Sequence, residues 1–327
     1  MYWYYKYPLL LLVAVLTAWV AHWGWSRMPR VEAAAVRPSA AERLRTARLA
    51  ARKTPSPTVA EARVRAPGPA AVPAVDAAAA ELERKLKLAE ENAAAGKLIM
   101  ARGLAEDLLR APGVKPFGPQ WFRAADVVGR VNTALAATTA PAPEKVRCVV
   151  QAGDTLNALA RKYQVTVEAI VRANSLDTAN PAIHPGMVLS VLPAKWSVEV
   201  LKGRFVLLVR NGDRLFKYYR VGIGRENRTP AGGFKVSTRL REPEWSPPGR
   251  PPVPYGRPEN ILGTRWLGLQ PAEGTDPTLK GFGIHGTWQP ETVGTAASEG
   301  CVRMKNEDVN ELFDLIPTGT RATIKDE

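Results

Sequence analysis

Two cysteines and three histidines are all that 327 residues supply, and the shortage rules out a good deal. Cys148 and Cys301 fall in separate segments, so there is no disulfide framework to read, and Cys301 stays free. His22 lies in an apolar run, His184 in a short turn and His285 alone further on, so no three-ligand set with zinc-like spacing is visible. Neither a metal nor a cofactor is expected. Acidic side chains are also scarce: 31 Asp and Glu face 45 Lys and Arg, a formal charge of +14. That excess suits a polyanionic partner, whether nucleic acid, anionic lipid or an acidic wall polymer. Its distribution argues against nucleic acid. Residues 27–65 carry ten basic and three acidic side chains with almost no aromatics, and a solvated linker explains them better than a nucleic-acid fold.

What is present begins with an apolar run over residues 7–25, YPLLLLVAVLTAWVAHWGW, preceded by Lys6 and followed by Arg27 and Arg30. Its length suits a membrane span and its terminal aromatics suit the interface. Residues 1–30 are therefore expected to form a membrane anchor. A signal peptide, cleaved near the small residues Ala33 and Ala35, is the alternative. Either way the remainder is exported, to the periplasmic or cell-wall side. Residues 31–75, with six prolines among Ala and charged residues, form an Ala/Pro/Arg-rich linker long enough to act as a spacer.

Helix formers then dominate residues 76–138. Leu82, Leu86 and Ala89 share one face, a break falls between Asn92 and Gly96, and a third helix is predicted to start after Pro119. One such unit lacks the stacking that a repeat array needs, leaving two roles open, a partner-binding face or a spacer and packing element. Residues 146–193 read as a βααβ unit: a strand at Cys148, a helix entered from the Ala152-Gly153-Asp154 turn, a second helix capped by Thr166, and a return strand from Val188. The Gly153-Asp154-Thr155-Leu156 turn, Asn174 and the His184-Pro185-Gly186-Met187 turn resemble the lysin-motif (LysM) family. That resemblance implies binding of N-acetylglucosamine-containing glycan strands by Gly153, Asp154, Thr155, Leu156 and Asn174. Cys148 reads as a core filler, and His184 as a turn residue without chemistry.

From Trp196 the apolar period changes to two, giving strands at 196–200, 204–209, 215–221 and 234–238, with one closing helix near 306–315. This predicts a mainly β domain over 196–325. Seven prolines lie within residues 241–262, alongside Trp245 and Tyr255, and mark a stiff excursion that is a plausible substrate wall.

The chemistry concentrates in residues 281–304, GFGIHGTWQPETVGTAASEGCVRM. His285 and Cys301 lie sixteen positions apart across an irregular Gly/Thr/Ala/Ser connection that lets the chain fold back. A cysteine attacks as thiolate, and an imidazole beside it can stabilise that form and return the proton later. Gly300 permits a close backbone approach, the amides around Gly300 and Cys301 can face an oxyanion, and the positive charge of Arg303 favours thiolate and can grip a carboxylate. A buried structural thiol and a satisfied core histidine would give the same spacing.

His285-Gly286-Thr287 and Ser298-Glu299-Gly300-Cys301-Val302-Arg303-Met304 resemble the active-site signature of the L,D-transpeptidases, which cross-link the bacterial cell wall. Thr229-Pro230-Ala231-Gly232-Gly233-Phe234 and Asn260 to Leu269 extend the match over residues 196–325. The resemblance implies a mainly β catalytic domain of the L,D-transpeptidase type, joined to a small βααβ LysM module and an N-terminal helical segment. It also implies that Cys301 is acylated, that His285 is its base, and that the Gly286 carbonyl orients the ring. Ser298, Gly300 and Arg303 complete the expected catalytic set, with Trp245, Tyr255, Trp266 and Thr287 expected on the substrate. Two departures stand out. Ala231-Gly232-Gly233 replaces the usual Thr-Gly-Thr, and Glu299 is expected to set a negative charge beside the thiolate.

The expected function is transfer of a tetrapeptide stem, with release of D-alanine, onto an amine of another stem. The alternatives are an L,D-carboxypeptidase-type cysteine hydrolase of stem peptides and an inactive glycan-binding wall scaffold. Stem peptides and glycan strands are the expected partners, with the membrane reached through the N-terminal segment and no role for nucleic acid.

Overall fold

The computed structural model describes residues 74–327; the expected anchor and nearly all of the linker lie outside them. Three helices come first: α1 (Ala74–Ala94), α2 (Leu98–Arg110) and α3 (Pro119–Ala136). Pro119 opens α3 in the first turn, where the missing N–H costs nothing. The break between α1 and α2 falls at Ala95–Lys97, with Gly96 in the left-handed region.

The middle module is β1 (Val146–Val149), α4 (Leu156–Tyr163), α5 (Val167–Ala173) and β2 (Val188–Val191), with β1 and β2 antiparallel. Thr155 and Thr166 cap the two helices by accepting the amides of Ala158 and Ala169. Leu156, Leu159, Ile170, Leu189 and Cys148 form its small core.

The mainly β domain contains β3 (Trp196–Leu201), β4 (Val206–Asn211), β5 (Arg214–Arg220), β6 (Ile223–Gly224), β7 (Gly232–Arg241) and β8 (Arg265–Pro271). It continues through β9 (Gly283–His285), β10 (Ala296–Ser298), β11 (Val302–Arg303), α6 (Asn306–Leu315) and β12 (Arg321–Lys325). Eight strands form one sheet in the order β11-β9-β8-β7-β12-β3-β4-β5, while β6 and β10 pair separately. The final strand β12 inserts between β3, parallel, and β7, antiparallel, so the chain end closes the middle of the sheet. Val309, Leu312, Phe313 and Leu315 of α6 are buried on that sheet. Each such side chain contributes about 1.5–3 kcal/mol on burial.

The helical segment packs on the edge strand β5. Asn132 of α3 donates to the Phe216 carbonyl at 2.9 Å, Glu106 of α2 pairs with Arg214, and Tyr218 lies 5.1 Å from Phe122 and 6.1 Å from Trp121 between ring centroids. Covering an edge strand removes a template for unwanted pairing. Of the two expected roles, the described contacts fit the packing element.

The middle module is also docked rather than free. Thr166 donates to the Asp314 carbonyl, Arg172 pairs with the Asp314 carboxylate, and Glu168 pairs with Arg239 and Arg241. Ala136 of α3, Ile170 of α5 and Leu315 of α6 meet at one apolar junction. Among the described residues no helix is long and apolar enough to cross a membrane.

Candidate active site

Parallel pairing of β9 and β11 brings the distant motif halves together, with Ile284 opposite Val302 and His285 opposite Arg303. Cys301 immediately precedes β11. Its thiol donates to the Gly281 carbonyl at 3.5 Å. Gly283 and His285 lie on one face of β9 because side chains alternate along a strand.

His285 is buried, and its Nδ1 lies 2.6 Å from the Gly286 carbonyl oxygen. A carbonyl only accepts, so Nδ1 carries the proton and Nε2 is left with its lone pair. Trp266, opposite His285 on β8, stacks on the imidazole with ring centroids 5.8 Å apart and an interplanar angle of 24°. Asn306 presses on Gly286 from the start of α6, where a Cβ on Gly286 would stand 2.1 Å from its Oδ1. Glycine is therefore required by close approach, and any side chain there would displace the carbonyl that orients His285.

The loop before Cys301 is clamped from within. Ser298 Oγ donates to the Cys301 carbonyl at 2.6 Å and accepts the Gly300 amide at 3.1 Å. Gly300 has φ +140°, and a Cβ there would meet Phe282 at 2.8 Å. Two expectations change here. The Gly300 amide is already bound to Ser298, so it does not face an oxyanion; among the described residues the Cys301 amide donates to no protein group. Glu299 is exposed and pairs with both Arg225 and Arg228, so its charge is answered by two guanidinium groups.

Electrostatics at the pair follow burial. Desolvation pushes the Cys301 thiol up, against the smaller pull of the Gly283 amide and Arg303. Burial brings His285 down to about 4, opposed by the Gly286 carbonyl and reinforced by Arg303. Arg303 thus favours thiolate while disfavouring imidazolium, so it does not favour the ion pair as a whole. The resting pair is neutral thiol and neutral imidazole, not the preformed thiolate that the positive neighbour suggested. Arg303 is buried with no side-chain ion pair among the described residues, and its Nε has no partner. A guanidinium so placed can receive a carboxylate.

The remaining sequence-predicted residues divide. Trp266 is at the site. Tyr255 lies near Trp288, three residues after His285, with ring centroids 6.0 Å apart. Trp245 is bound up in the excursion's own backbone bridge to Val253. Asn260 pins that excursion by donating to the carbonyls of Pro243 and Val253, adding hydrogen bonds to the stiffness of the prolines. Thr287 is buried and accepts the Gln289 amide, a local turn bond that leaves it away from solvent. In the middle module Gly153 and Thr155 are exposed, Asp154 accepts the Gln151 amide, and Leu156 is in the core. Asn174 donates to the carbonyls of Ile170 and Ser190 and accepts the Ser190 amide, so both its amide protons are occupied internally. That is a structural clasp. Sequence reasoning missed Trp288, which is 48% exposed three residues after His285, and also Asn306 and Phe282. Trp288 was legible as an aromatic beside the motif; the others act through contacts distant in sequence.

The profile of the YkuD L,D-transpeptidase catalytic domain matches residues 195–324, and that of the LysM domain matches residues 148–191. YkuD of Bacillus subtilis strain 168, whose name assigns it to the L,D-transpeptidases, is 32% identical over 180 residues, covering 54% of this chain and 96% of the relative. This chain belongs to the L,D-transpeptidase family. YqjB of the same organism, likewise named, is 38% identical over 42% of this chain and 74% of its own length. YbiS of Escherichia coli K12, named a probable L,D-transpeptidase, is 28% identical over 62% of this chain and 72% of its own length. An L,D-transpeptidase domain together with a LysM domain supports an enzyme that acts on peptidoglycan.

Proposed function

We propose that this L,D-transpeptidase works through a Cys301 acyl-enzyme and transfers a tetrapeptide stem onto an amine of a second stem. The observation that supports the reading is the pairing of β9 with β11, which puts His285 opposite Arg303, two residues on from Cys301, with its Nδ1 held on the Gly286 carbonyl. As sulfur attacks the L-centre carbonyl of meso-diaminopimelate, the thiol proton passes to Nε2 of His285. The neutral resting pair requires this transfer to accompany attack, since burial disfavours a standing ion pair. The Cys301 amide receives the oxyanion. Collapse breaks the bond to the D-alanine nitrogen, and His285 returns the proton to that amine. The acceptor amine then attacks the thioester, passing its proton through His285 back to sulfur as the new amide forms.

In this reading Arg303 holds a stem carboxylate, Trp288 and Tyr255 border the peptide, and Ser298, Gly300 and Gly286 keep the reacting groups in place. The exposed Gly153–Thr155 turn meets the glycan strand. Residues 7–25 tether the protein to the cytoplasmic membrane on the cell-wall side. Mass spectrometry of muropeptides after incubation with purified protein tests the assignment. Cross-linked dimers with loss of D-alanine are expected; tripeptide products alone would make the enzyme a hydrolase, and unchanged muropeptides would end the catalytic reading.

A further inference from the structure

Beyond the loop that carries Cys301 lies a hydrogen-bonded chain that the reaction as described does not use. Thr229 is 1% exposed, and its Oγ1 accepts the Gly224 amide at 2.7 Å. With that lone pair engaged, the hydroxyl proton is directed at the Gly300 carbonyl, 2.8 Å away. The Gly300 carbonyl and the Cys301 N–H belong to one planar peptide and point in opposite directions. Whatever fixes the carbonyl therefore fixes the amide. Hydrogen bonds in series also polarise one another, so the bond from Thr229 strengthens Cys301 N–H as a donor.

Thr229 is itself held by a buried lysine. Lys202 is 3% exposed; its Nζ donates to the Thr229 carbonyl at 2.8 Å and to Asn227 Oδ1 at 2.7 Å, and it pairs with Asp326 beyond β12. The turn it grips contains Glu226 and Asn227 with φ of +51° and +57°. Two successive non-glycine residues in the left-handed region are strained, and such strain persists where surrounding contacts hold it. Burial of an ammonium is costly unless its protons are satisfied, and here all the named partners lie on the turn or the chain end.

We propose that Thr229 and Lys202 are positioning residues for acyl transfer: Lys202 sets the 226–229 turn, and Thr229 sets the Gly300–Cys301 peptide whose N–H receives the oxyanion. The inference rests on the reading of Cys301 as the attacking group, and neither side chain touches substrate.

The test separates acylation, which develops an oxyanion, from alkylation by iodoacetamide, which displaces iodide and develops none. Cys301 acylation by p-nitrophenyl acetate and by a tetrapeptide donor is followed by mass spectrometry alongside its alkylation rate. Thr229→Val is expected to lose about tenfold or more in acylation by the ester, on the scale of a misdirected oxyanion donor, with alkylation within about twofold of the parent. Thr229→Ser keeps the hydroxyl and restores acylation. Lys202→Met shows the same split to a smaller degree, and it carries the test if the valine variant fails to fold. Parental acylation in folded Thr229→Val, or acylation and alkylation falling together, overturns the proposal. So does a parent protein whose Cys301 alkylates but accepts no acyl group from the ester. If the parent takes the ester group but not the tetrapeptide, while the variant split remains, the relay stands and the stem-peptide reading falls.

Discussion

In the middle module Asn174 has both amide protons and its oxygen engaged by Ile170 and Ser190, and each helix start is capped by its own threonine. Around Cys301 the same kind of clasp, Ser298 on Gly300 and on the Cys301 carbonyl, stops short of completion. The Cys301 amide has no protein acceptor among the described residues, and Arg303 Nε is buried without a partner. The difference is instructive because both regions are short, loop-rich and built from small polar residues. A polar group that closes a loop is satisfied inside the fold. One left open in a buried position costs roughly 1–3 kcal/mol, and a ligand that completes it recovers part of that cost. Asn174 resembles a binding residue by motif but not by bonding; Arg303 resembles one by both.

The sharpest way to break the contrast is to remove the nucleophile. Cys301→Ser is expected to abolish acyl-enzyme formation, since a hydroxyl of far higher pKa would have to give its proton to an imidazole whose basicity burial has lowered; intact-mass analysis with a tetrapeptide donor checks this. Cross-linking at the parent rate would end the mechanism.

Next in size, His285→Gln should slow acylation by about 100- to 10,000-fold, the usual range for a general acid–base group. The same variant probes burial. Because the native imidazole titrates near 4 and a free one near about 6.5, the unfolded chain binds the extra proton across that interval. Stability from this group therefore rises with pH from about 4 to about 6.5 and is lost as pH falls through the same interval, by about 3 kcal/mol in all. Urea unfolding at several pH values should show this slope in the parent and not in His285→Gln.

Arg303→Lys keeps the charge but loses the planar fork, and acylation by a stem peptide should fall by about ten- to a hundredfold, with alkylation by a neutral reagent much less affected. An equal fall in both would place Arg303 in thiol activation instead. Alkylation of the parent should keep rising with pH beyond the ordinary cysteine range, because burial pushes the Cys301 thiol up; a plateau below about pH 7 would mean a standing thiolate.

The smallest effect on chemistry is expected in the other region. Asn174→Ala removes three internal bonds and should lower stability by about 1–3 kcal/mol, while turnover of a small soluble tetrapeptide changes by less than about twofold. Substitution at the exposed Thr155 turn should instead weaken retention on insoluble peptidoglycan. Excising the whole module is a poorer probe, since it would strip Asp314, Arg239 and Arg241 of their partners.

The amino-acid sequence by itself determined the kinds of local structure and the chemistry available. Period-two apolar runs specified strands, Thr166 specified a helix start, and a solitary histidine and a free cysteine within one motif limited which groups could react. Helix α6 was legible over its full length, Asn306–Leu315, because an amphipathic repeat stands in a domain otherwise of strand period. Tertiary structure alone decided the rest. The insertion of β12 between β3 and β7, the parallel contact of β9 with β11, and the docking of α3 on β5 join residues far apart in the chain, and local propensity carries no record of such pairings. Ionisation was decided there too. From sequence, Arg303 beside Cys301 argued for thiolate and Glu299 against it; in the fold Glu299 pairs with Arg225 and Arg228, Arg303 opposes the imidazolium, and burial outweighs both. Charge is written in the sequence, but its effect depends on distance and on water, and only the folded chain sets either.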